Sequence, residues 1–138
     1  MSAFVDTNIL IRHLTGDPAE MATRATTYLR TETELLLTDL VVAETIYVLE
    51  SFYETPRGRG AAAMRALLAL SSVLVVDAAL LLRALEVYET ERIDFAEAYL
   101  VASAESTGVG TIASFDRPID RVKTVQRVEP GRQRPGRP

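Results

Sequence analysis

The chain has 138 residues, 48% hydrophobic and 25% charged, with a formal net charge of −4, a size and balance that suit one globular domain with a real core. No apolar run approaches the ~20 residues that span a bilayer, and the N-terminus enters Phe4-Val5-Asp6 with no basic leader, so no membrane association and a cytoplasmic location are expected. Zero cysteines exclude disulfides and thiolate metal sites, and the single His13 excludes a multi-histidine zinc site within one chain, so any metal here is held by oxygen.

Strand and helix signals then alternate. Residues 3–5 read as a short apolar strand, 9–14 as a brief helix ended by Gly16-Asp17-Pro18, and 19–30 as a second helix. Strand character resumes over 35–37. Residues 40–52 are helical and apolar nearly all round, and after the break Thr55-Pro56-Arg57-Gly58-Arg59-Gly60 another helix runs over 61–70. A β-branched strand over 73–76 precedes helices over 78–91 and 95–106, and strands over 111–113 and 124–128 close the pattern. The alternation predicts an α/β fold in which helices cover both faces of a mostly parallel central sheet, giving three layers, α/β/α. This domain is expected over residues 1–128.

Charge is uneven along the chain. Residues 1–116 carry 17 acids and 8 bases, a charge of −9, whereas residues 117–138 carry 2 acids and 7 bases, a charge of +5. A basic end attracts phosphate backbones or an acidic partner. The Pro- and Gly-rich composition of residues 129–138 instead favours a solvated, disordered basic tail.

Four acidic stretches stand out: Asp6-Thr7-Asn8, Glu44, Asp94-Phe95-Ala96-Glu97 and Ser114-Phe115-Asp116. Asp6 and Asp116 follow strand-like runs, and parallel α/β sheets place ligands at the carboxyl ends of their strands. Each acid has a plainer reading. Asp6 suits a helix cap, and Asp94 with Glu97 resembles a capping box. Asp39 and Asp77, also between strand and helix, are assigned to capping alone. Glu44 resists that reading, because a helix apolar around its circumference is normally buried, and a buried carboxylate needs a base, a metal or a proton. No base lies on that helix between Leu40 and Phe52. Arg12 is one partner from elsewhere; a metal is the more economical account.

If the acids meet, they repel, and a divalent cation removes the penalty. All-carboxylate ligation points to magnesium, with manganese as a substitute; calcium more often uses a contiguous loop whose spacing is absent here. A hydrated ion of this kind suits phosphoryl chemistry. Thr7, Asn8 and Ser114 are then placed to position water or phosphate, and equally to form turns or caps.

The ordered set Asp6-Thr7-Asn8, Glu44, Asp94-x-x-Glu97-Ala98 and Ser114-Phe115-Asp116 resembles PIN-domain nucleases over about residues 3–128, and the compact length resembles the VapC-type toxins of bacterial toxin–antitoxin pairs. The resemblance implies a parallel sheet sandwiched by helices, magnesium-dependent cleavage of RNA, homodimerisation and inhibition by a cognate antitoxin protein. It carries the acidic metal-site roles onto Asp6, Glu44, Asp94 and Asp116. Glu97 falls where many members have Asp, and Asp120 stays outside the metal's immediate ligands. Asp6 and Asp94 are the direct ligands expected, with Glu44, Glu97 and Asp116 joining directly or through water; Thr7, Asn8, Glu97 and Ser114 support the site or position substrate.

The predicted reaction is hydrolysis by a metal-activated water attacking phosphorus in line, leaving a 5′-phosphate and a 3′-hydroxyl. The lack of a paired-histidine proton shuttle within one chain supports this choice. Arg12, Arg57, Arg59 and Arg117 are candidates for RNA contact by their position in loops or near the proposed site, while exposed arginines are usually solvated surface. An aspartyl phosphatase would need a second Asp where Asn8 stands, and a receiver domain would need an acid pair near the first strand and a late lysine. The competing readings are a non-catalytic module that binds a partner protein, and a related nuclease acting on DNA.

Overall fold

The computed structural model describes residues 2–131. Three times a strand is followed by two helices: β1 (Ser2–Phe4) by α1 (Thr7–Thr15) and α2 (Ala19–Thr31), β2 (Glu34–Leu36) by α3 (Asp39–Ser51) and α4 (Arg57–Leu68), and β3 (Val73–Leu74) by α5 (Ala78–Glu91) and α6 (Phe95–Thr107). β4 (Thr111–Ala113) and β5 (Gln126–Val128) then flank a 3-10 helix, Arg117–Arg121. All pairings are parallel, as the alternation predicts. β2 lies between β1 and β3, with Leu35 opposite both Ala3 and Val73, and β4 pairs separately with β5. Among the described residues, the six α-helices and the parallel strands agree with the expected α/β/α organisation.

Strand alternation sorts the side chains. Leu35 and Val73 face the core and are buried, while the neighbouring row turns outward, leaving Phe4 74% and Leu74 43% exposed. The helices close over the inner row with Leu10, Leu29, Val42, Ile46, Met64, Leu81 and Leu85. Burying a leucine or isoleucine fully contributes about 1.5–3 kcal/mol, so this cluster, more than helix propensity, fixes where the strand ends lie. α1 and α6 both stop at glycines in the left-handed region, Gly16 (φ 72°) and Gly108 (φ 76°).

Four expectations change. The Thr55-to-Gly60 break is shorter than its composition suggests: Pro56 is extended, and Arg57 already opens α4, whose Gly60 and Ala61 are buried. Small residues there let the start of the helix approach the core. Asp39 does not cap α3; Thr38 does, accepting from the Val41 N–H, and Asp39 instead accepts a hydrogen bond from the Tyr99 hydroxyl. Asp77 does cap α5, through the Leu80 N–H. α3 is not buried all round, since Leu40 (69%) and Tyr47 (71%) are exposed, and Glu44 is exposed with them. Bases of the predicted basic end are engaged within the domain: Arg127 pairs with Asp120 and Glu129, and Lys123 donates to the Asp120 carbonyl. Arg132, Arg134 and Arg137 of the predicted tail lie outside the described residues. Among the described residues no helix is long and apolar enough to cross a membrane.

Candidate active site

The acids gather where strands end and helices begin. Val5, buried behind β1, anchors the chain so that Asp6 emerges exposed as the N-cap of α1, its Oδ1 accepting the Thr7 N–H at 2.8 Å. The Thr7 hydroxyl in turn donates to the Glu44 carboxylate at 3.1 Å. Glu44 is therefore tied to the Asp6 turn by a hydroxyl, and the expected reason for its presence, burial in an apolar helix, does not hold. Arg12 does not pair with it; that guanidinium donates to the Asp17 carbonyl at 3.2 Å.

A second group forms at α6 and β4. Asp94 is the N-cap of α6, its Oδ1 accepting the Glu97 N–H at 2.9 Å. The reciprocal half of a capping box is missing among the described residues. Glu97 is half-buried, its Oε2 enclosed without a hydrogen-bond partner. Burial, then the neighbouring carboxylates of Asp116 and Asp94, push its pKa up to about 7. Asp116 follows β4 and is exposed; its N–H donates to the Ser114 hydroxyl at 2.9 Å, so Ser114 shapes the turn that presents Asp116.

The two groups border adjoining hollows. Glu44, Asp94 and Tyr47 line one of about 570 Å3, and Asp6, Asn8 and Glu44 line the next, of about 630 Å3. Glu44 stands between them. Asn8 is exposed on the second hollow, and both carboxylate oxygens of Asp120 accept from Arg127.

Two arginines hold the turn that carries Asp94. Arg57 Nη1 donates to the Tyr88 and Ile93 carbonyls at 2.8 and 2.6 Å, and its guanidinium lies 4.2 Å from the centre of the Tyr88 ring. Arg121 donates to the Arg92 carbonyl at 3.0 Å, and Arg92 itself takes a left-handed φ of 57°. Arg57, one of the candidates for nucleic-acid contact, thus braces the turn that carries Asp94. That role was hidden, because both acceptors are carbonyls more than thirty residues away. Arg59 and Arg117 remain exposed.

The donors suit a hard cation. They are all oxygens, three of the carboxylates crowd one another, and one carboxylate oxygen is buried without a partner, a combination that a divalent ion relieves. Among the described residues no three acidic or histidine side chains are arranged to hold one ion directly.

Compared with known families, residues 3–125 match the PIN domain. The chain belongs to the PIN domain family. Among curated proteins none matches it. PIN domains are nuclease-type folds and generally metal-dependent nucleases, and in this one the matched segment spans Asp6, Glu44, Asp94, Glu97 and Asp116. Phe52 and Tyr53, which form the aromatic wall of the second hollow, carry no signal in the sequence that separates them from core residues.

Proposed function

We propose that this PIN domain is a magnesium-dependent endoribonuclease, with manganese able to substitute, that hydrolyses RNA phosphodiesters to 5′-phosphate and 3′-hydroxyl ends. In this reading it acts in the cytoplasm as the toxin of a VapC-type toxin–antitoxin pair, as a homodimer restrained by a cognate antitoxin protein. The observation that carries the reading is the meeting of Asp94, Glu97 and Asp116 beside a hollow that also reaches Glu44 and, through Thr7, Asp6.

Asp6 and Asp94 would hold the ion, with Glu44, Glu97 and Asp116 completing its surroundings directly or through water. When bound, the ion supplies positive charge beside the phosphate and lowers the pKa of a bound water. The sparse direct ligation suits magnesium, which keeps several of its waters. The protein's own contribution is orientation. Main-chain N–H groups fix one oxygen of each of Asp6 and Asp94, Thr7 fixes Glu44, and Ser114 fixes the Asp116 turn. Glu97 lies against Asp94 and Asp116, where it would add a further carboxylate to the ion's surroundings.

The test compares wild type, Asp6→Asn and Asp94→Asn, free of antitoxin, on a mixed RNA pool with magnesium, manganese or EDTA, with folding checked by circular dichroism. Metal-dependent cleavage lost in both folded variants supports the reading, and end-group analysis tests the 5′-phosphate. Absence of cleavage by wild type on single-stranded and structured RNA would favour a partner-binding module or a DNA substrate.

A further inference from the structure

The second hollow has two unlike ends. At one are the carboxylates of Asp6 and Glu44 joined through Thr7; at the other are Arg12, Phe52 and Tyr53. Its volume of about 630 Å3 lies within the ~300–1,000 Å3 of small-ligand pockets, large enough for one nucleotide unit. Phe52 is 77% exposed although its ring is held edge-on to Tyr53, with centroids 5.1 Å apart. A large apolar ring fixed in water beside a hollow is a surface waiting for a flat apolar partner.

Arg12 supplies the second observation. The guanidinium carries five N–H donors, yet among the described residues its hydrogen bonding is limited to the one Nη1 bond to the Asp17 carbonyl, and its Nε is enclosed without an acceptor. The enclosed Nε is out of a ligand's reach, but the paired Nη nitrogens at the end of the fork suit the oxygens of a phosphate. Arg12 is the one base among the residues lining this hollow, beside the three carboxylates of Asp6, Asp17 and Glu44, so it marks the place where a phosphate would meet attraction.

We propose that this hollow is a nucleotide subsite beside the cleaved phosphodiester, in which Phe52 is the stacking platform for an unpaired base and Arg12 holds that nucleotide's phosphate. The inference rests on the ribonuclease reading above and deepens it, because a base can lie on Phe52 only where the strand is unpaired. The substrate class is accordingly single-stranded RNA.

The test measures binding of fluorescent single-stranded RNA heptamers by anisotropy in EDTA at low salt, where no cleavage competes. A second set carries one abasic residue moved through the strand. Phe52→Ala is expected to weaken binding about tenfold, within the range for losing one base–aromatic stack, and Phe52→Trp to restore it. One abasic position is expected to weaken wild type by a similar factor and to leave Phe52→Ala with nothing further to lose. Arg12→Ala is expected to weaken binding and flatten its salt dependence by about 0.7 of a log unit per log unit. Binding unchanged by Phe52→Ala, a Phe52→Ala loss that persists at every abasic position, or no binding by wild type would overturn the subsite. Cleavage of the same heptamers in magnesium separates the two claims. Phe52-dependent binding without cleavage sinks the nuclease reading alone, whereas cleavage with KM untouched by Phe52→Ala sinks the subsite alone.

Discussion

Replacing Arg57 with alanine tests whether this side chain holds the domain together or meets substrate. The change removes two hydrogen bonds from one charged nitrogen to the Tyr88 and Ile93 carbonyls and a guanidinium 4.2 Å from the Tyr88 ring. Hydrogen bonds to charged groups contribute about 1.5–3 kcal/mol each, and a partly exposed cation–π contact about 0.5–1 kcal/mol. The contacts share one half-buried side chain, so they do not add in full. A net loss of about 3 kcal/mol is expected, a large share of the roughly 5–15 kcal/mol that stabilises a domain. Urea unfolding followed by circular dichroism should show a lower midpoint at an unchanged slope. Because Ile93 immediately precedes Asp94, kcat should fall while KM changes little. Arg57→Lys, which keeps a charge but not the fork, should recover only part of the stability. A stability loss below about 1 kcal/mol, together with weakened RNA binding, would refute this reasoning and return Arg57 to the candidates for RNA contact.

Three further outcomes are expected. Burial, then the charge of Arg30, holds the His13 pKa below its ordinary 6.5; its stabilising contribution is complete above pH 6.5 and is lost as pH falls through the lower folded value, so His13→Gln should flatten the stability–pH curve in that window, as read by thermal melts. Asp77→Ala removes the cap on Leu80 and should cost about 1 kcal/mol in urea unfolding while leaving RNA cleavage intact. Magnesium at a hundredfold excess over its dissociation constant should stabilise wild type by about 2.7 kcal/mol, seen as a raised Tm; Asp94→Asn, which keeps a capping oxygen, should lose that response without losing its fold.

What could be read in advance divides by distance along the chain. Local chemistry was legible: the junction aspartates announced themselves as strand ends and helix starts, and Asp6, Asp77 and Asp94 cap the helices they precede. Element order was equally plain, since apolar runs and breaks recur in step with the strands and helices. Glu44 was chosen for a reason that failed. Apolar composition around α3 implied burial, but Leu40 and Tyr47 face solvent, because composition counts apolar side chains without saying which face meets the core. Asp39 shows the same limit. Its partner, the Tyr99 hydroxyl, lies sixty residues away, and nothing in the neighbourhood of Asp39 marks that pairing. Arg57 and Arg121 were invisible as braces because main-chain carbonyls have no sequence signature.

The capping bonds on Asp6 and Asp94 also fix which way each carboxylate faces. In each, Oδ1 accepts a main-chain N–H, so the carboxylate turns with the first turn of its helix. An oxygen that accepts one hydrogen bond keeps a second lone pair, so capping takes neither acid out of play. Whatever tilts the start of α1 or α6 re-aims that acid with it.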